Sequence, residues 1–134
     1  MAARHLIVGR EGEELAAAYL QEKGLRILLR NFRCRDGEVD LICLDKKTLV
    51  FVEVKTRSSV VHGEPGEAVT IQKKRRIIRA ATQYLSQQKS WSQPCRFDLV
   101  SILFLHGRTT VEHWEDIIDV RDALGGGNTA WQPW

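Results

Sequence analysis

Apolar and polar positions change rhythm several times along this chain, and each change marks an element. From about His5 to Lys23, Gly9, Ala16, Ala17 and Leu20 recur on one side at helical spacing, and Gly24 stands where a helix commonly stops. Leu25 to Arg33 is aliphatic, while Gly37–Leu44 and Thr48–Lys55 carry the β-branched and aromatic bias of strands. The last two predict a hairpin turning through Asp45-Lys46-Lys47-Thr48. A loop with Gly63, Pro65 and Gly66 leads to a second helix over Thr70–Gln88, with Thr70 as N-cap and Ile71, Ile77, Ile78, Ala81, Tyr84 and Leu85 on its buried side. Arg96–Leu105 and Thr109–Trp114 read as two further strands around His106-Gly107-Arg108. The expected order is α-β-β-β-α-β-β, an α/β fold. Periodicity is lost beyond Arg121, so residues 1–120 are expected to form the domain and 121–134, with its glycine run, Trp131 and Trp134, a flexible tail.

Composition narrows the class. With 134 residues and a 43% hydrophobic share, the chain has the size of one domain with one core. The net charge of +3 does not by itself identify a nucleic-acid binder. Its distribution says more, because Lys73, Lys74, Arg75, Arg76 and Arg79 crowd the second helix. Cys34, Cys43 and Cys95 have neither the even number of a disulfide framework nor the spacing of a zinc site. No apolar run approaches the roughly 20 residues of a membrane span, so a cytoplasmic protein without a membrane partner is expected.

The chemistry concentrates in the hairpin. Strand alternation turns Glu38, Asp40 and Ile42 to one face and Val39, Leu41 and Cys43 to the other, and it puts Glu53 and Lys55 on a common face. A turn centred on Lys46-Lys47 pairs Leu44 with Leu49, and stepping outward sets Asp40 opposite Glu53 and Glu38 opposite Lys55. Opposed carboxylates repel unless a cation lies between them, and hard oxygen donors suit Mg²⁺ or Mn²⁺. Lys55 beside them can orient a water or stabilise charge on a phosphate. A solvated charge cluster on an open sheet face is the competing explanation. Against it, Leu41, Ile42, Val50, Phe51, Val52 and Val54 make both strands apolar on both faces. Glu13 falls on the helix-one stripe of Ala16 and Leu20, a third carboxylate and fourth candidate on the side expected to face the sheet, with an edge position that reaches solvent or pairs with Arg10 as the alternative.

The string Gly37-Glu38-Val39-Asp40-Leu41-Ile42, followed by Phe51-Val52-Glu53-Val54-Lys55-Thr56-Arg57, resembles the YraN family of uncharacterised bacterial proteins. Gly9, Glu13 and Ala16, Asn31-Phe32-Arg33, Val69-Thr70, Lys73 and Arg96-Phe97-Asp98-Leu99-Val100 extend the likeness over most of the chain. That family resembles archaeal Holliday-junction resolvases within the restriction-endonuclease-like superfamily. The resemblance implies a mixed central sheet with helices on both faces, a metal held by Asp40, Glu53 and the Val54 carbonyl, a water-assisting Lys55, and a contribution from Glu13. It also implies a homodimer. Val39 stands where the superfamily's proline precedes the aspartate.

The expected activity is metal-dependent phosphodiester hydrolysis of DNA or structured nucleic acid, with Lys73, Lys74, Arg76 and Arg57 contacting phosphates. A nucleic-acid-binding module of the same fold without catalysis is the alternative, and an adaptor whose tail tryptophans anchor a partner is a third. Gln72 and His62 are weaker site candidates, and His106 and His113 offer no metal spacing. Asp98, interrupting Phe97, Leu99 and Val100, is expected to serve a structural hydrogen bond or ion pair, with Arg96 or Arg33 as the partner.

Overall fold

The structure, a computed structural model, describes residues 2–57 and 69–118. The loop carrying His62 and the tail from residue 119 lie outside it. Helix α1 spans Ala2–Glu22 and is followed by strands β1 (Arg26–Cys34), β2 (Gly37–Asp45) and β3 (Thr48–Arg57), helix α2 (Ile71–Gln88), and strands β4 (Cys95–Leu105) and β5 (Arg108–Trp114). This is the α-β-β-β-α-β-β order that the patterning predicts, with α1 beginning three residues earlier.

The five strands lie in sequence order, antiparallel except where β3 and β4 run parallel across the α2 crossover. The fold is a mixed central sheet with one helix on each face, an α/β restriction-endonuclease-like core. Helix α1 packs Ala16, Ala17 and Leu20 onto Leu41, Val50, Val52, Val100 and Ile102. Helix α2 packs Ile77, Ile78, Tyr84 and Leu85 onto Val39, Ile42, Phe51, Phe97 and Leu99. Burial of two opposite sheet faces explains why β3 reads as a continuous apolar run rather than an alternating one.

Local chemistry ends the helices as the sequence leads one to expect. Gly24 at φ +97° closes α1, with the Leu25 N–H donating to the Leu20 carbonyl at 3.0 Å. Thr70 caps α2, its hydroxyl accepting from the Lys73 N–H. One residue departs from expectation. Ile71, placed on the buried stripe, is 57% exposed, because the buried apolar side of α2 begins only at Ile77.

Candidate functional site

The β2–β3 hairpin forms in the expected register, Leu44 opposite Leu49 and Leu41 opposite Val52, but the ladder stops there. Asp40 and Glu53 are therefore not a paired rung. Where the strands part, the Asp40 carboxylate accepts a hydrogen bond from the Val54 N–H at 2.7 Å, so a side chain stands in for the missing main-chain acceptor. Regularity fails on the other side of β2 as well. Asn31 of β1 takes φ +52°, and neither it nor Asp40 is a partner in the β1–β2 ladder. The expected alternation of side chains breaks at the same place: Val39 packs with Ile42 under α2, while Leu41 and Cys43 pack under α1. The distortion turns Asp40 into the gap between β2 and β3 instead of onto one face.

In that gap Asp40 and Glu53 come within hydrogen-bonding contact. Burial, then the neighbouring Glu53 carboxylate, pushes the Asp40 carboxyl up to about 7. Glu53 is 3% exposed and is met by the Lys73 ammonium at 2.8 Å. Glu13 approaches from α1, half-buried; it hydrogen-bonds Asn31, and burial followed by the charge of Asp40 raises its carboxyl above the usual range. Three carboxylates from three elements thus converge, with one lysine from a fourth.

Lys73 belongs to this pocket rather than to an outward basic face. Its inward position was legible: it precedes Ile77 by four residues and Ala80 by seven, the spacing of α2's buried stripe. Lys55 lies two residues beyond Glu53 on β3, half-buried, and makes no ion pair among the described residues. Glu38 does not oppose it; instead Glu38 is reached by Arg76 of α2 at 3.4 Å and Arg33 of β1 at 3.8 Å. Lys74 and Arg57 are half-exposed, and Gln72 is exposed in the first turn of α2.

The model of the uncharacterised protein family UPF0102 matches residues 12–102, a span that includes every one of these residues. The chain belongs to UPF0102. This is the family to which the YraN resemblance pointed. A UPF0102 protein of Nitratidesulfovibrio vulgaris is 47% identical over 98% of both chains. One from Lawsonia intracellularis is 42% identical over 95% of this chain and 96% of its own. A third, from Chlorobium phaeobacteroides, is 54% identical over 75% of this chain and 82% of its own. A solved structure titled "Crystal structure of SSO0001" aligns over 92% of this chain and 57% of its own at TM-score 0.41 and 15% identity, too remote to bear on function.

This UPF0102 member carries a second charged cluster, built around Asp98 of β4, which lies opposite Val52 on the rung next to Glu53. Asp98, fully buried, accepts from Arg96, from the Asp116 N–H at 2.9 Å and from His113 at 2.8 Å. Arg96 also reaches Asp45 at 3.0 Å and Glu115 at 2.8 Å. Asp98, His113 and Glu115 lie close enough to hold an ion. The oxygens are already satisfied, however, and the Arg96 guanidinium bridging Asp98 to Glu115 supplies the positive charge. The other ring nitrogen of His113 faces the Lys23 ammonium at 2.9 Å; an ammonium only donates, so His113 Nδ1 accepts and Nε2–H donates to Asp98. The expected Asp98–Arg96 ion pair is present, and the involvement of His113, Glu115 and Asp45 is what strand spacing did not reveal.

Cys34, Cys43 and Cys95 form no disulfide among the described residues, and burial pushes the Cys43 thiol up to about 12. No described helix is long and apolar enough to cross a membrane.

Proposed function

We propose that this protein is a metal-dependent endonuclease acting on DNA or structured nucleic acid. The observation that carries the reading is the contact of the half-buried Asp40 with the buried Glu53, two like charges of which the single ammonium of Lys73 compensates only one. The donors are hard carboxylate oxygens, and the nearby thiol, Cys43, packs under α1 with Leu41, away from Ile42 and Phe51. That set fits Mg²⁺ or Mn²⁺.

Asp40 and Glu53 are the residues to hold the ion. The Val54 carbonyl is a third donor, because in an extended residue it points the same way as the N–H, and here the N–H points to Asp40. When bound, such a cation neutralises the carboxylates and polarises a phosphate. Lys55, next along the face of Glu53, is placed to orient the attacking water, and Glu13, held by Asn31, closes the pocket from α1. Lys74, Arg76 and Arg57 surround the pocket with charge for backbone phosphates, which they contact without reading sequence.

A panel of duplex, branched and single-stranded substrates in Mg²⁺ and Mn²⁺ tests the reading. Cleavage is expected for the wild type, with Asp40→Ala and Glu53→Ala each reducing it about 100-fold or more. Undiminished cleavage by both variants rejects the assignment. Binding without cleavage by the wild type assigns the chain to the non-catalytic alternative.

A further inference from the structure

We infer that Lys73 is the acidic pocket's own counter-ion and competes with a divalent cation for Glu53. The inference rests on the metal site proposed above and deepens it.

The Lys73–Glu53 ion pair is 2.8 Å long at a carboxylate whose side chain is 4% exposed, whereas the lysine side chain is 34% exposed. Glu53 is thus fixed in the sheet, while Lys73 reaches it from the first turn of α2 with part of its stem in solvent. A carboxylate buried to this degree is not left without a positive partner. Lys73 is that partner among the described residues, since Arg76 is engaged with Glu38 and Lys55 makes no ion pair. The ammonium also faces the charges of Asp40 and Glu38, as its raised basicity reflects. One ammonium carries a single positive charge against the two carboxylates that meet in the gap. A divalent cation matches both.

An ammonium beside Glu53 and a divalent cation held by Glu53 repel each other in the same buried space. Filling the pocket therefore expels Lys73. Its exposed stem and its place at the helix start allow the head to swing outward, towards Lys74 and Arg76, where a substrate phosphate would bind. The same lysine then has two partners in turn. It keeps the empty pocket folded and joins the phosphate-binding surface when the pocket is loaded.

Titration calorimetry with Mn²⁺ on the full chain separates this inference from the metal site itself. Lys73→Met is expected to bind Mn²⁺ about tenfold more tightly than the wild type, Lys73→Arg to remain near the wild type, and Glu53→Gln to lose binding. Affinity unchanged or weakened in Lys73→Met, with binding still lost in Glu53→Gln, overturns the competition alone. Absence of Mn²⁺ binding by the wild type, or binding by Glu53→Gln equal to it, overturns the metal site and the competition together. A second measurement needs no variant. Acetylation of Lys73 by limiting acetic anhydride, read by mass spectrometry, is expected to rise several-fold when the wild type is saturated with Mn²⁺, and reactivity unaffected by Mn²⁺ counts against the release.

Discussion

Asp40 does two jobs with one carboxylate: it completes the hydrogen bonding of β3 through Val54, and it shares a buried space with Glu53. Its raised pKa has a definite sign for stability. An unfolded aspartate ionises near 4, while the folded one holds its proton up to about 7. The metal-free protein is therefore expected to lose stability from this group as pH rises between those values, with the contribution intact below that window and gone above it. Asp98 acts oppositely. His113, the Asp116 N–H and Arg96 together outweigh burial and lower its pKa, so its contribution is present near neutrality and lost in acid. Melting curves of the wild type minus those of Asp40→Asn isolate the first effect. The difference is expected to fall through the range from pH 4 to pH 7, and a flat difference would show that Asp40 ionises normally in the fold.

At the scale of elements, the pocket depends on how closely α2 lies against the start of β2. Gly37 permits that approach: a Cβ there would come 2.5 Å from the Arg76 carbonyl and 2.7 Å from the Ala80 nitrogen, both backbone atoms that cannot rotate away. Gly37→Ala is expected to destabilise the protein by about 1–3 kcal/mol, measured by urea denaturation, through overpacking rather than through any altered turn conformation. Because α2 also carries Lys73, the displacement should weaken its ion pair with Glu53. On the other face Gly12 of α1 lies directly against the Thr56 side chain, a neighbour that, unlike backbone, can turn about its own bond. The glycines and caps that bound these elements could be read from the chain. The two interhelix-to-sheet approaches could not, since a glycine inside a strand or helix pattern does not announce which neighbour needs the space.

Across the whole molecule, charge is gathered in two clusters of one sheet with different results. In the Arg96 cluster the guanidinium stands between Asp45, Asp98 and Glu115 and bonds to all three, which ties β4, the segment after β5 and the β2–β3 turn together. Arg96→Met leaves the buried Asp98 charge with only the neutral donors His113 and the Asp116 N–H, and is expected to cost about 3 kcal/mol in chemical denaturation. Adding Asp98→Asn should recover part of that loss, and strictly additive losses would show that the pair is not coupled. In the Asp40 cluster two carboxylates instead meet each other directly, which is why the functional reading rests there.

Much of this was determined by local sequence. Period and punctuation specify seven elements because burial on one helical stripe or on two strand faces leaves a regular trace, and the two-residue turn sets the hairpin register as far as Leu41 and Val52. The pairing of Asp40 with Glu53 was also within reach, although by the wrong route: arithmetic of register places them on a common rung, while the fold joins them by parting the strands. Only the tertiary structure decided that Asn31 and Asp40 distort β2, that Lys73 and not Lys55 meets Glu53, and that His113 and Glu115 gather around Asp98. Periodicity reports which side of an element is buried. Which charge it meets there depends on how separate elements are stacked, and that is set by packing across the sheet rather than by spacing along the chain.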